Sequence, residues 1–155
     1  MNFFTFLSKQ KNEDWRSFII HFPGNSGKTH FVRRLSESQK GIVYIDLLEV
    51  LSTKKDLQIK KFNLKALQKY LLEYAYPINT HSVIVDQMDF LLNTWDEDEK
   101  RSFVQWLKIP LRSPALTDIT FVFVIQTDKT IVQQELKNSL NESRIIMLNE
   151  FDAIQ

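Results

Sequence analysis

The stretch FIIHFPGNSGKTHFVRRL, residues 18–35, decides how the chain is read. An apolar run ends in Pro-Gly-Asn-Ser-Gly-Lys-Thr, and a helix-like pattern follows. A phosphate-binding loop has glycine, four residues, then Gly-Lys-Ser/Thr, placed between a strand and a helix. Gly27, Lys28 and Thr29 fit that pattern, and so does the strand-turn-helix context. Gly24 and Gly27 let backbone N–H groups curl around phosphate oxygens, and the start of a helix adds positive potential. Lys28 would reach the β- and γ-phosphates, and the Thr29 hydroxyl would hold Mg²⁺. The candidate nucleotide contacts are therefore Pro23, Gly24, Asn25, Ser26, Gly27, Lys28, Thr29 and His30. Two positions depart from the pattern. Phe22 stands in the first glycine's slot, and its side chain is expected to leave the strand near the phosphates. Asn25 stands where glycine is common, a mild change because Asn tolerates left-handed backbone. The plain alternative is a glycine-containing strand-helix turn with a solvated lysine.

The rest of the chain sets bounds on that reading. At 155 residues it has the length of a single domain, 1–155, able to bury a real core. With only 3 glycines in the whole chain, two within one short loop carry weight. A net charge of +1 selects neither nucleic acid nor membrane. Cysteine is absent, which removes thiolate metal sites and disulfide frameworks. The N-terminal MNFFTFLSKQKNEDW lacks the basic first region of a leader peptide, and no apolar run reaches the roughly 20 residues of a spanning helix. A cytoplasmic protein that avoids membranes is expected.

Strand-like and helix-like segments alternate. Short runs rich in Ile, Val and Phe, apolar on both faces, predict buried parallel strands at Ser17–Phe22, Gly41–Leu48, Ser82–Met88, Ile119–Gln126 and Arg144–Leu148. Helices are predicted after the loop at Lys28–Ser38, and where Leu64, Leu67, Leu71, Tyr74 and Ala75 repeat ahead of Pro77. Thr94 with Glu97 reads as a capping box before Phe103, Trp106 and Leu107. Thr130 with Gln133 reads likewise before Ile131, Val132, Leu136 and Leu140. Right-handed crossovers then give a three-layer α/β/α sandwich with a five-stranded, mainly parallel sheet.

Two strand ends add polar groups to the loop. HSVIVDQMDFL places Asp86 at the end of the third strand, where a carboxylate can hold the Mg²⁺ shell beside Thr29. Its structural alternative is a cap on the next turn. Gln87 follows, able to orient a water but unable to take its proton. Asp89 is a candidate substitute base, so slow hydrolysis is expected. TFVFVIQTD ends the fourth strand in Gln126, which would point at the γ-phosphate, while Asp128 would cap the next helix.

Together these residues resemble the AAA+ and related P-loop ATPases over nearly the whole chain. Pro23–Thr29 looks like the Walker A loop, Val83–Asp89 like the Walker B strand and Gln126 like sensor 1. NESRIIML looks like the Ser-Arg box of clamp loaders, which implies Arg144 as a finger entering a neighbour's site. The likeness implies ATP and Mg²⁺ as ligands, a homo-oligomer and the sheet order 5-1-4-3-2. The helical lid of that family has no counterpart before Gln155, and Phe22 and Gln87 depart from its motifs. At this size the chain is similar to the small P-loop component of type-3 BREX phage-defence systems, which implies larger protein subunits as partners.

Charge is unevenly placed. Lys54, Lys55, Lys60, Lys61, Lys65 and Lys69 face only Asp56, while Asp96, Glu97, Asp98 and Glu99 form an acidic run. These are two solvated faces, a DNA-backbone contact through the lysines, or patches that pair subunits head to tail. Two other functions fit the motif: a small-molecule P-loop kinase, for which Arg101 and Arg112 are the nearby arginines, and a non-catalytic scaffold stabilised by nucleotide.

Overall fold

Five apolar segments pair side by side, all parallel: β1 Phe18–Phe22, β2 Ile42–Asp46, β3 Ser82–Asp86, β4 Thr120–Gln126 and β5 Ile145–Met147. The structure, a computed structural model, describes residues 1–13, 16–24, 28–53, 61–108 and 119–152, with the side chains of Lys28 and Thr29 left aside. The strand order is β2-β3-β4-β1-β5, the 5-1-4-3-2 arrangement expected, and no described strand runs antiparallel within it.

The order follows from which strands the sequence can bury. β1, β3 and the first six residues of β4 are buried throughout, so they take the central places. β2 and β5 mix buried and half-buried positions and lie at the edges. Crossovers fix the faces. The step from β1 to β2 runs one way along the sheet, and every later step runs the other way, so right-handed connections put their helices on opposite faces. One face carries α1 Phe3–Lys11 and α2 Lys28–Ser38, packed through Phe3, Phe6, Leu7, Val32 and Leu35 against Phe18, Ile20 and Val124. The other carries α3 Leu47–Thr53, α4 Leu64–Glu73, α5 Asp89–Leu92, α6 Glu97–Lys108 and α7 Lys129–Val132. There Phe103 meets Phe123 edge-on, with ring centroids 5.0 Å apart.

Several boundaries differ from the sequence reading, each for a local reason. α1 was not foreseen, yet Phe3, Phe6, Leu7 and Gln10 stand at i, i+3, i+4 and i+7 and are all buried. Asn2 caps it by accepting from the Thr5 N–H. Full burial of each such Phe contributes roughly 1.5–3 kcal/mol. The second strand stops at Asp46, whose carboxylate accepts from the Glu49 N–H and starts α3. α6 is capped by Asp96, which accepts from the Glu99 N–H; the Thr94 hydroxyl instead donates back to the Leu91 carbonyl.

The helix expected from Thr130 to Leu140 ends after one turn. Asn138 accepts from the N–H groups of Leu140 and Glu142, replacing a helical ladder with a turn. Asn141 there has φ 63°, and Lys137 pairs antiparallel with Ser143. Gly41 makes the turn into β2 at φ 90°; a Cβ there would stand 2.6 Å from the His81 ring.

Candidate functional site

Parallel strands bring their carboxyl ends to one edge of the sheet, and the loops after β1 and β4 leave toward opposite faces. A crevice between adjacent strands arises where loops diverge in this way. β1 leads through Pro23 and Gly24, both exposed, into α2 at Lys28. Asn25, Ser26 and Gly27 lie outside the described residues. His30 is exposed in the first turn of α2. Across the crevice, Gln126 ends β4 in register with Phe22. Its side-chain amide lies beside Gly24, where an added Cβ would stand 3.8 Å from Oε1. The structure thus brings Gln126 against the loop.

Phe22 corrects the expectation that its side chain crowds that loop. It is 3% exposed and shares the sheet face of Phe18 and Ile20, beneath α1 and α2. Only its backbone serves the site edge, through a carbonyl that accepts from the Thr127 N–H at 2.8 Å.

Asp86 ends β3 completely buried, in register with Asp46 of β2. Its Oδ1 accepts from the Gln87 N–H at 2.8 Å, and its Oδ2 from the Tyr44 hydroxyl at 2.6 Å. Burial, then the bond to Asp86, pushes the Tyr44 phenol far above its ordinary value, with Arg33 opposing. Gln87 adopts φ 62°, the left-handed region that a long side chain rarely enters. Asp89 turns toward the backbone: its Oδ1 accepts from the Gln126 N–H at 2.6 Å, bracing the ends of β3 and β4 against each other. Asp128 caps α7 as expected, accepting from the Thr130 and Ile131 N–H groups, and also pairs with Lys100 at 2.7 Å.

Arg144 is placed otherwise than a finger requires. It precedes β5, at the amino ends of the strands and so opposite the loop. Its side chain is 1% exposed and donates to the carbonyls of Ser17, Leu107 and Lys137 at 2.7–3.2 Å. Burial depresses its pKa to about 10, with Glu13 opposing. A buried arginine stitched to three segments of its own chain is structural.

The charged patches divide similarly. Lys54, Lys55 and Lys60 lie outside the described residues, as does Arg112; Lys61, Lys65 and Lys69 are exposed. The acidic run serves its own chain: Asp96 caps α6, Glu99 accepts from the Leu64 N–H at the start of α4, and Glu97 and Asp98 pair with Arg101.

Three participants escaped the sequence reading. His21, 7% exposed, contacts the Thr127 hydroxyl through Nδ1 at 3.0 Å; burial lowers its pKa below 6.5, with Glu150 opposing. A lone polar residue in an apolar strand was the available signal. Tyr44 and Arg33 carried none, because their meeting depends on the placement of β2 under α2.

The donor chemistry suits a hard cation. Asp86 offers carboxylate oxygen at the site, and the predicted partner Thr29 would offer hydroxyl oxygen, as Mg²⁺ prefers. Among the described residues no three His, Asp or Glu side chains form a metal cage. Mg²⁺ at phosphates needs none, being held by one or two carboxylates, phosphate oxygens and water. No protein-family model matches the chain, and no curated protein matches it.

Proposed function

We propose that the chain is an AAA+-like P-loop ATPase that binds ATP with Mg²⁺, hydrolyses it slowly and assembles around it. We place it in an anti-phage defence complex similar to type-3 BREX systems, or in another DNA-transaction complex, with larger protein subunits as partners. One observation carries the nucleotide reading: Gly24 follows β1 while Asp86 and Gln126 end β3 and β4, all at the carboxyl ends of neighbouring strands, with Gln126 lying beside the loop glycine. In this reading the amides at the start of α2 and Lys28 hold the phosphates. Thr29 and Asp86 would hold Mg²⁺, which would supply positive charge against the phosphate oxygens. Gln126 faces the γ-phosphate. Gln87 orients the attacking water without accepting its proton, and Asp89, committed to the Gln126 N–H, braces the strand ends; both favour slow turnover. Assembly around ATP does not use Arg144, which stays inside its own chain. Exposed Lys61, with Lys54, Lys55 and Lys60 beside it in sequence, supports a DNA-backbone contact.

Lys28→Ala tests the nucleotide reading. Loss of a charge-assisted contact worth roughly 1.5–3 kcal/mol should weaken ATP binding about tenfold or more, measured by calorimetry. Unchanged affinity would refute it.

A further inference from the structure

Resting on that nucleotide reading, we propose that Tyr44 is a positioning residue for the Mg²⁺-binding carboxylate of Asp86, itself steadied by Arg33 from the helix after the phosphate loop. Tyr44 is paired in register with Ile84, and Asp46 with Asp86. Tyr44 therefore sits diagonally behind Asp86 on the same sheet face, a spacing that long side chains can span. Its hydroxyl donates to Oδ2 at 2.6 Å while the Gln87 N–H holds Oδ1 at 2.8 Å. Donors on both oxygens fix the rotation of the carboxylate.

The hydroxyl has a purpose that packing alone does not supply. A phenylalanine would fill the same space under α2, but it would leave one oxygen of a fully buried carboxylate without this donor. The Tyr44 hydroxyl is the donor in that bond, since an ordinary phenol keeps its proton up to about pH 10. It is not itself a metal ligand, since a neutral phenol cannot match water for Mg²⁺. The Arg33 guanidinium lies 6.0 Å from the Tyr44 ring centroid, a cation–π contact from α2. Arg33 belongs to the helix that begins at Lys28, so phosphate-loop helix, tyrosine and metal carboxylate form one connected path.

Groups that orient a metal ligand typically cost 10–100-fold in metal affinity when removed. The experiment titrates Mg²⁺ into the full chain with ATP, follows ATP affinity by calorimetry, repeats it in EDTA, and records thermal melts. Tyr44→Phe, which deletes one oxygen, should leave ATP affinity in EDTA within about twofold of wild type and raise the Mg²⁺ concentration for half-maximal tight binding about tenfold. Arg33→Gln, on the exposed side of α2, should shift it the same way by less. An unchanged Mg²⁺ requirement with a lowered melting temperature would reduce Tyr44 to core packing and overturn the proposal. An equal loss with and without Mg²⁺ would also overturn it, placing the effect on nucleotide rather than metal. If wild type itself binds ATP with no dependence on Mg²⁺, or does not bind it, the functional reading above falls as well; a Mg²⁺-dependent wild type beside an indifferent Tyr44→Phe sinks this proposal alone.

Discussion

Replacing Arg144 by alanine should damage the fold and leave nucleotide-driven events alone. The guanidinium makes three bonds to buried or half-buried carbonyls, at 2.7, 3.0 and 3.2 Å. Bonds from a charged donor contribute roughly 1.5–3 kcal/mol each, so the set contributes about 4–9 kcal/mol. Against this stands the cost of burying the charge. Burial holds its pKa down at about 10, which corresponds to a cost of about 3 kcal/mol at ~1.36 kcal/mol per pH unit. The net loss in Arg144→Ala is then about 1–6 kcal/mol, centred near 3. Stability changes move the melting temperature by about 2–4 °C per kcal/mol at this chain length, so a fall of about 6–12 °C is expected. The assay is a thermal melt, joined to ATP binding and light scattering with ATP well below the transition. Those two should match wild type, because Arg144 lies at the amino ends of the strands and the loop at their carboxyl ends. An unshifted melt combined with lost ATP-dependent association would refute the reasoning and restore the arginine to an intersubunit role.

Substitutions at two further positions probe the site. Phe22→Gly restores the motif's first glycine, but it removes a side chain that is 3% exposed, so it should cost at least the roughly 3–5 kcal/mol of a buried Phe→Ala change and bring no tighter ATP binding; urea denaturation beside calorimetry measures both, and a stable, tighter-binding variant would mean that the ring faces the phosphates. At Gln87, φ 62° makes glycine the relaxed residue, so Gln87→Gly should stabilise by up to about 1 kcal/mol while lowering hydrolysis, whereas Gln87→Glu should raise a wild-type rate far below the usual ~1–10³ s⁻¹. Phosphate release and urea midpoints read these out, and a brisk wild-type rate that Gln87→Glu leaves untouched would count against Gln87 as the water-orienting group.

What the sequence disclosed and what it hid divide along a physical line. Strands buried on both faces announce themselves as apolar runs, so all five were legible, while their order was implied only by the resemblance to the P-loop ATPases. Side-chain direction at strand ends was less legible, but Phe22 shows that it was partly available: alternation puts it with Phe18 and Ile20, on the packed face. The helix beyond Thr130 misled because Val132, Leu136 and Leu140 keep helical spacing while Asn138 binds the backbone into a turn. Of these, Leu140 ends up exposed. Arg144 could not be read at all. Its partners are carbonyls of residues 17, 107 and 137, a set that only the finished fold brings together. The same holds for Tyr44 and Asp86, separated by 42 positions and joined by one hydroxyl.

The place of β1 in the sheet also has a temporal consequence. Its two neighbours are β4 and β5, and Phe18 finds its partner only at Val122. During synthesis, β2 and β3 can pair as soon as the helices between them have formed, yet the strand that leads into the candidate phosphate loop waits for residues 122–126 and 145–147. Contacts so distant along the chain form late and slowly. A nascent chain stopped after residue 108 would hold every residue of the loop motif and still lack both walls that hold the loop's strand. The nucleotide capture proposed above should therefore coincide with completion of this fold, and ATP would favour the folded domain over its growing precursors.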